Sequence, residues 1–197
     1  MRCKNDSVDP QYRPGAISFQ PELSDGQVLL RNWTYDDLQC VEEASSDPVI
    51  PLGTTVPSKY SEEAGRAFID RQHGRWTSGE GVSLAIVERR TDTAAGLMCL
   101  LHRQQPGVVG LGYWVVASRR KKGLTLASLM LLSRWALRLS AVDRLEALVY
   151  PGNAASIRVL EGAGFLREGL LRSYMDFEGH RGDALLYALL ESDIDRD

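Results

Sequence analysis

The sequence predicts an α/β (α+β) fold in which a single mixed sheet of about seven strands carries helices on both faces. Two strand-like runs flank the turn Arg90-Thr91-Asp92-Thr93, which predicts an antiparallel hairpin. An apolar segment at residues 123–140 has helical spacing and separates two further strand-like runs, 108–116 and 145–149. Strands joined through such a crossover helix run parallel, so we expect both kinds of pairing in one sheet.

The length and composition indicate one globular domain. The chain has 197 residues, of which 44% are hydrophobic and 25% charged, so it can bury a core without metal or disulfide support. A net charge of -3 argues against a general nucleic-acid binder. The cysteines and histidines lie too far apart for metal-ligand spacing, so we expect a reduced protein without a metal. The cysteines are Cys3, Cys40 and Cys99.

Nothing in the sequence indicates a membrane segment or a secretion signal. Residues 1–10 are polar and charged, whereas a signal peptide has an apolar core. The densest apolar stretch, residues 124–132, is too short to span a bilayer. We therefore expect no membrane association and a cytoplasmic location.

The first part of the chain predicts an extended arm, a strand and two helices. Residues 1–26 contain several prolines and glycines without periodicity, which favours an arm. An apolar run at residues 28–30 predicts the first strand. Thr34 and Asp37 have capping-box spacing before a helix at residues 35–45, and Ser61 caps a second helix that ends near Trp76.

The second part predicts six strands and two helices in one domain, residues 27–191, followed by a short tail, residues 192–197. Strands are expected at residues 82–87, 95–101, 108–116, 145–149, 165–174 and 184–189, and helices at residues 123–140 and 154–162. The apolar face predicted for the longer helix consists of Leu124, Ala127, Leu131, Trp135 and Leu139.

A basic segment precedes the long helix. Its sequence is Ser118-Arg119-Arg120-Lys121-Lys122-Gly123-Leu124-Thr125. Cations are unfavourable at a helix N-terminus, but an anionic ligand bound to the free N–H groups there removes that cost. Gly123 permits a close approach of backbone to phosphate. From these residues alone, a solvated basic loop is an equally good interpretation.

A second segment, Asn153-Ala154-Ala155-Ser156, opens the shorter helix. Asn153 is a good N-cap, and capping alone explains it better than a functional role. Gly164 has the position of a left-handed helix terminator, and Phe165 then enters the core.

These segments together resemble the GNAT superfamily of N-acetyltransferases, and more closely its RimJ/RimL-type ribosomal-protein branch. The residues Gly112-Tyr113-Trp114-Val115 and Arg120 to Thr125 look like the fourth strand and acyl-CoA loop of the family, R/Q-x-x-G-x-G/A. The run from Asn153 to Glu161, followed by Gly164-Phe165, Glu168-Gly169 and Leu171-Arg172, is similar to its signature N-x-x-S-x-R-V-L-E-x-x-G-F-x-x-E-G-x-L-R. The likeness covers residues 27–190, and the second motif is the more specific one.

The sequence departs from the family pattern at three positions. Thr125 stands where Gly or Ala is usual, and Lys121 replaces a common glycine. Gly110 occupies a strand position where many relatives carry a glutamate that is a frequent candidate base.

The resemblance implies acetyl-CoA as co-substrate, no metal, and a set of residues that hold it. The pantetheine would lie along Trp114, Val115 and Val116, with a backbone N–H near Val115 facing the carbonyl oxygen. The pyrophosphate would meet the segment Arg120, Lys121, Lys122, Gly123, Leu124 and Thr125. Asn153 would orient the co-substrate or nearby backbone.

The same resemblance suggests catalytic roles. Ser156 would assist the departing thiolate, and Tyr174 is a reserve acid, although packing explains Tyr174 better. No residue stands out as the base; a water molecule assisted by Glu88 or Asp183 is one interpretation, and Asp183 is equally well explained as a structural hydrogen-bond acceptor.

The acceptor is expected at the first two helices, whose acids could attract an amine. These are Asp36, Asp37, Glu42, Glu43, Asp47, Glu62, Glu63 and Asp70. The first hypothesis is a protein N-terminal α-amino group, and the second is a small amine such as an aminoglycoside-like antibiotic or a polyamine. A non-catalytic acyl-CoA-binding or interaction module is the third. A homodimer is compatible with the family.

Overall fold

Eight strands form one sheet in the computed structural model, which describes residues 21–177 and 180–194. The prediction of a single mixed sheet is confirmed, with one strand more than expected. The strands are β1 (Leu23–Ser24), β2 (Val28–Arg31), β3 (Gly81–Glu88), β4 (Thr93–His102), β5 (Val108–Val115), β6 (Arg144–Val149), β7 (Leu166–Phe177) and β8 (His180–Leu189).

The additional strand lies in the segment predicted as an arm. The two residues of β1 pair antiparallel with Leu29 and Leu30 of β2, and a strand this short gives no readable alternation in sequence. The rest of the predicted arm, residues 1–20, lies outside the described residues.

The strand order is β1-β2-β3-β4-β5-β6-β8-β7. The predicted hairpin is confirmed, since β3 and β4 pair antiparallel around a turn in which Asp92 has a φ of 51°. The predicted parallel pair is also confirmed: Val108 of β5 lies opposite Arg144 of β6. It is the one parallel pairing among the described strands, and it lies near the middle of the sheet.

Helices cover both faces of the sheet, as predicted. They are α1 (Leu38–Ser45), α2 (Glu62–Thr77), α3 (Leu124–Leu137), α4 (Ala154–Gly162) and the short α5 (Glu191–Ile194). One core packs α1 and α2 on one face around Trp33, Phe68 and Trp114. The other core packs α3 and α4 on the opposite face around Leu129, Leu132 and other aliphatic side chains.

The buried face of α3 differs from the predicted one. Leu124 is buried, but Ala127, Leu131, Trp135 and Leu139 are only partly buried. The fully buried line consists of Ser128, Leu129, Leu132, Ser133, Ala136 and Leu137. Apolar residues surround this helix on most sides, so the periodicity did not distinguish its central face from the flanking one.

Local signals in the sequence define several helix ends. Thr34 N–H donates to the Asp37 carboxylate over 2.9 Å, and a short 3-10 turn then leads into α1. Ser61 caps α2 by accepting from Ala64 N–H over 3.1 Å. After α4, Gly164 has a φ of 86° and Phe165 is 2% exposed, as expected for a left-handed terminator before a core residue.

Cys40 and Cys99 are buried and free; Cys3 lies outside the described residues. Within the ranges that the structure describes, no helix has both the length and the apolar character needed to cross a membrane.

Candidate active site

The candidate site begins where the parallel strands β5 and β6 separate. Their pairing runs from Val108 opposite Arg144 to Leu111 opposite Ala147 and then stops. Both strands continue, β5 to Val115 and β6 to Val149. The sheet therefore opens in its middle, and we call the space between Gly112–Val115 and Leu148–Val149 the opening.

Backbone polar groups of β5 point into the opening. Val116 N–H bonds to Ala95 O of β4 over 2.9 Å, and the β4–β5 register directs every second residue, including Trp114, toward β4. The intervening residues Tyr113 and Val115 turn their N–H groups away from β4. Of the three residues predicted to line the pantetheine, Val115 alone therefore turns its backbone N–H toward the opening. Trp114 packs its side chain against α1 and α2.

The basic segment forms a sharply turned loop before α3. Lys121 has a φ of 62° and Gly123, the N-cap of α3, has a φ of 77°. Lys121 thus adopts the left-handed conformation that glycine takes most easily, at the position where glycine is usual. Gln27 fixes the loop by donating its side-chain N–H to Lys122 O over 2.8 Å. The first N–H groups of α3, including those of Leu124 and Thr125, have no intrahelical acceptor, so they are donors that an anion could use.

Most cations of the loop already have protein partners. Arg119 and Lys122 both bind the Glu88 carboxylate, with Lys122 Nζ 3.2 Å from Oε2. Arg120 binds Asp47 Oδ2 at 2.5 Å and Val115 O at 3.0 Å. Lys121 is exposed, and the described residues provide it with no ion-pair partner. The loop therefore offers backbone N–H groups and a partly neutralised positive charge.

Glu88, considered as an assistant to the base, is committed to this cluster. Its side chain is 8% exposed. Burial alone raises the pKa of the Glu88 carboxyl, but the hydrogen bonds from Lys122 and Arg119 outweigh burial and hold the pKa below its ordinary value. A carboxylate stabilised in this way is a poor proton acceptor.

We expect Glu88→Gln to lower the thermal midpoint by about 2–4 °C at pH 7, because Arg119 and Lys122 lose their shared counter-charge. Because the pKa of Glu88 is lower in the folded than in the unfolded protein, its carboxylate stabilises the fold at pH values above the unfolded pKa of about 4.3. This stabilisation is lost as the pH falls through the folded pKa. Thermal unfolding between pH 3 and 7 should show the difference shrinking below about pH 4. The exposed Glu80→Gln is the control; an equal effect there would contradict this account.

The first turn of α4 faces β5. Asn153 caps the helix by accepting from Ser156 N–H over 3.1 Å, which confirms the capping interpretation. Ser156 is half-buried, and its side chain lies within hydrogen-bonding reach of the Tyr113 phenol.

Sequence reasoning missed Tyr113 as a site residue. Its hydroxyl donates to Ser156 O over 3.4 Å, so its side chain joins β5 to α4. Burial raises the pKa of the Tyr113 phenol, and a hydrogen bond with the Ser156 side chain offsets part of this rise. The alternation along β5 places Tyr113 on the α3 and α4 face, the only sequence signal that could have identified it.

A pocket of about 350 Å³ lies on the opposite face, beside the same opening. It is lined by Arg103, Gln105, Val108, Glu146, Leu148, Leu171, Tyr174 and Leu186. Glu146 and Leu148 belong to β6, whose alternate residues Ala147 and Val149 face α3 and α4. Tyr174, 53% exposed, thus lies on the α1 and α2 face. Ser156 and Tyr174 are therefore separated by the sheet.

The charges in this pocket were not predicted. Glu146 accepts from Arg144 Nε over 2.8 Å, and Arg144 also binds Glu168. The guanidinium of Arg103 lies against Gly110, where any Cβ would collide with it. At the position where the family pattern has a glutamate, the side chain of Arg103, the residue after β4, lies over Gly110.

Asp183 has a structural role. Its Oδ1 accepts from Ser173 N–H over 2.8 Å. Ser173 has a φ of 53° and lies where the β7–β8 register shifts. The carboxylate therefore supports an irregular stretch of β7, in agreement with the structural interpretation of this residue.

Most acids predicted to attract the acceptor are engaged elsewhere. Asp37 pairs with Arg31, Asp47 with Arg120 and Glu62 with Arg66, while Glu43 accepts from Ser118 and Asp70 from Tyr35. Asp36, Glu42 and Glu63 are exposed. Glu43 and Asp47 tie the loop that precedes α3 to α1 and its neighbourhood, so these two acids position the loop.

No cluster of three or more His, Cys, Asp or Glu side chains that could hold a metal ion occurs in residues 21–177 and 180–194.

Comparison with known proteins gives the family. Residues 27–166 match the family model described as an acetyltransferase (GNAT) domain. The uncharacterized N-acetyltransferase p20 of Bacillus licheniformis is 25% identical over 171 residues, covering 86% of this chain and 89% of that protein.

Solved structures show the same fold. Mycobacterium smegmatis RimJ in complex with CoA-disulfide has a TM-score of 0.76 at 21% identity and covers 90% of this chain and 89% of its own. RimL, a ribosomal-protein α-N-acetyltransferase in complex with coenzyme A, has a TM-score of 0.74 at 20% identity. The match covers 88% of this chain and 100% of the RimL chain. Because the family model spans most of the chain and includes the opening and the loop before α3, this protein belongs to the GNAT family of acetyltransferases.

Proposed function

We propose that this enzyme transfers the acetyl group of acetyl-CoA to the α-amino group at the N-terminus of a protein. The observation that carries the proposal is the charge around the pocket beside the opening. Glu146, the one carboxylate among its lining residues, is paired with Arg144, and Gly110 carries no side chain. The pocket thus lacks a free carboxylate that could act as a strong base.

This environment suits an α-amine better than an alkyl amine. An α-amino group has a pKa of about 7.7–8.0, so roughly a third of it is neutral at pH 7.5, whereas a lysine amine with a pKa of about 10.4 is almost entirely protonated. The nearby positive charge of Arg103 disfavours the protonated amine further. An α-amine can therefore react without a strong base, with water accepting its proton.

The opening and the loop fit acetyl-CoA. The N–H groups of Tyr113 and Val115, which turn away from β4, offer hydrogen-bond donors to the extended pantetheine and to the thioester at its end. The left-handed turn at Lys121 and Gly123 and the N-terminus of α3 offer N–H donors to a pyrophosphate. When bound, acetyl-CoA supplies an acetyl group activated as a thioester.

The chain supplies two further groups for the reaction. Val115 N–H would donate a hydrogen bond to the carbonyl oxygen as negative charge develops there. Ser156 Oγ would donate its proton, or a hydrogen bond, to the departing thiolate. Asn153 holds the first turn of α4 that carries Ser156. Tyr174 lies on the α1 and α2 face, where the acceptor is expected to bind. We therefore propose that Tyr174 contacts the acceptor and does not act as an acid.

Acceptor class can be tested by thiol release from acetyl-CoA. We expect peptides with a free N-terminus to be acetylated, with a rate that rises toward pH 8 as the α-amine loses its proton. Matched peptides with a blocked N-terminus and an internal lysine, and polyamines, should react at least tenfold more slowly. A preference for the blocked peptides or polyamines would overturn the proposal.

Ser156→Ala should lower the turnover number by roughly 10- to 100-fold, within or below the range typical of proton donors. The dissociation constant for acetyl-CoA should change less than twofold, because the hydroxyl acts on the leaving group. Stopped-flow thiol release and calorimetric titration measure the two quantities. The exposed Ser140→Ala is the matched control. Unchanged turnover in Ser156→Ala would remove this hydroxyl from the mechanism.

A further inference from the structure

Arg103 lies at the pocket beside the opening and has no ion-pair partner among the described residues. It lines the pocket, and none of the ion pairs formed among residues 21–177 and 180–194 involves it. The other arginine nearby, Arg144, is bound by both Glu146 and Glu168. Arg103 is therefore the cation of the pocket whose donors are not engaged by a carboxylate of the described residues.

The strand register places this guanidinium over Gly110. Leu101 pairs with Gly110, so Arg103, the residue that follows the end of β4, lies opposite Val108 and diagonal to Gly110 on the same face. Its backbone N–H also bonds to Val108 O over 3.1 Å. Because Gly110 has no Cβ, the guanidinium can lie against the strand backbone. Its planar group of donors matches the two oxygens of a carboxylate.

The distance along β5 between Gly110 and the opening determines which residue of the acceptor can reach Arg103. Gly110 and Tyr113 are three residues apart, which is about 10 Å along a strand. An extended peptide covers about 3.3–3.6 Å per residue. If the amine attacks the thioester carbon from the Tyr113 side of Val115 N–H, a side chain at the second or third acceptor residue reaches the guanidinium of Arg103. The carboxylate of a free amino acid lies too close to its own amine to span that length.

We propose that Arg103 selects acceptor N-termini that carry an acidic side chain at the second or third residue. This inference rests on the proposed function and narrows its substrate class. The recognised chemistry is a carboxylate a short distance from an α-amine. A polycationic small amine is disfavoured by the same charge.

The test uses peptide pairs that differ in one charge, such as Ser-Asp and Ser-Asn, or Ala-Ala-Glu and Ala-Ala-Gln, on otherwise identical neutral sequences. For the wild-type enzyme we expect kcat/KM to favour the better-placed acidic peptide by at least tenfold. Calorimetric binding of the peptides in the presence of coenzyme A should show the same preference without turnover. In Arg103→Gln the preference of kcat/KM for the acidic peptide over the neutral one should fall to about onefold.

One control variant and three outcomes complete the test. Arg138→Gln, an exposed arginine at the C-terminal end of α3, should keep the wild-type preference. Equal reaction of acidic and neutral peptides in the wild-type enzyme would overturn the role of Arg103 and leave the proposed function intact. Free aspartate or glutamate as the preferred acceptor would overturn the N-terminal assignment instead. A preference that persists in Arg103→Gln would also contradict the inference.

Discussion

Gly123→Glu is expected to weaken acetyl-CoA binding by about 100-fold or more. Gly123 has a φ of 77°, a conformation that costs other residues about 1–2 kcal/mol. The added carboxylate also lies at the N-terminus of α3, where it competes with the pyrophosphate for the same N–H groups. The strain lowers stability, whereas the blocked N–H groups and the repulsion between the new carboxylate and the pyrophosphate weaken binding; a 100-fold loss of affinity corresponds to about 2.8 kcal/mol. Calorimetric titration with acetyl-CoA measures the loss.

The chain offers a closely matched control. Gly79 has a φ of 76°, and a Cβ there meets no atom within 4 Å, whereas a Cβ on Gly123 approaches Gln27 Nε2 to 3.3 Å. Gly79→Glu introduces the same side chain at the same backbone angle, at the turn after α2. It should lose stability comparably but keep its acetyl-CoA affinity. If both variants bind normally, the loop before α3 is not the phosphate site.

The strands near the opening could be predicted because their signals are local. Residues 108–116 are rich in β-branched and aromatic side chains, and the structure gives β5 as Val108–Val115. Thr34 with Asp37, Ser61 and Asn153 are capping residues whose effect depends on neighbours three positions away. The long segment before β6 required a crossover, which fixed the parallel pair where the opening forms.

Long-range pairing explains what the sequence could not predict. The interactions of Asp47 with Arg120 and of Glu43 with Ser118 join residues more than 70 positions apart. The sequence pattern does not show these partners, so both carboxylates were predicted to be available to the acceptor. The contact of Arg103 with Gly110 depends on the register of β4 against β5, and a shift of one residue would move it to the other face. The missing glutamate at Gly110 was visible, but its arginine neighbour was not.

Val115→Pro should reduce turnover by roughly 100- to 1,000-fold, the range found when one donor to a developing oxyanion is removed. Proline deletes the N–H that faces the opening but leaves the Val115 carbonyl, which accepts from Arg120 Nε. Because this N–H is not bonded to β4, its loss leaves the sheet ladder intact. Single-turnover thiol release from saturating acetyl-CoA and a good peptide measures the change.

Two variants distinguish the N–H from the side chain and from folding. Val115→Ala shortens a side chain that is 7% exposed but keeps the N–H, so it should lose some stability and little turnover. Val116→Pro removes an N–H that bonds to Ala95 O, so it should lower the thermal midpoint more than Val115→Pro does. If the Val115→Pro and Val115→Ala enzymes have equal turnover numbers, the carbonyl oxygen of the thioester is stabilised by another donor. A large loss confined to Val115→Pro would identify the strand N–H at the opening as the group that stabilises charge in the reaction.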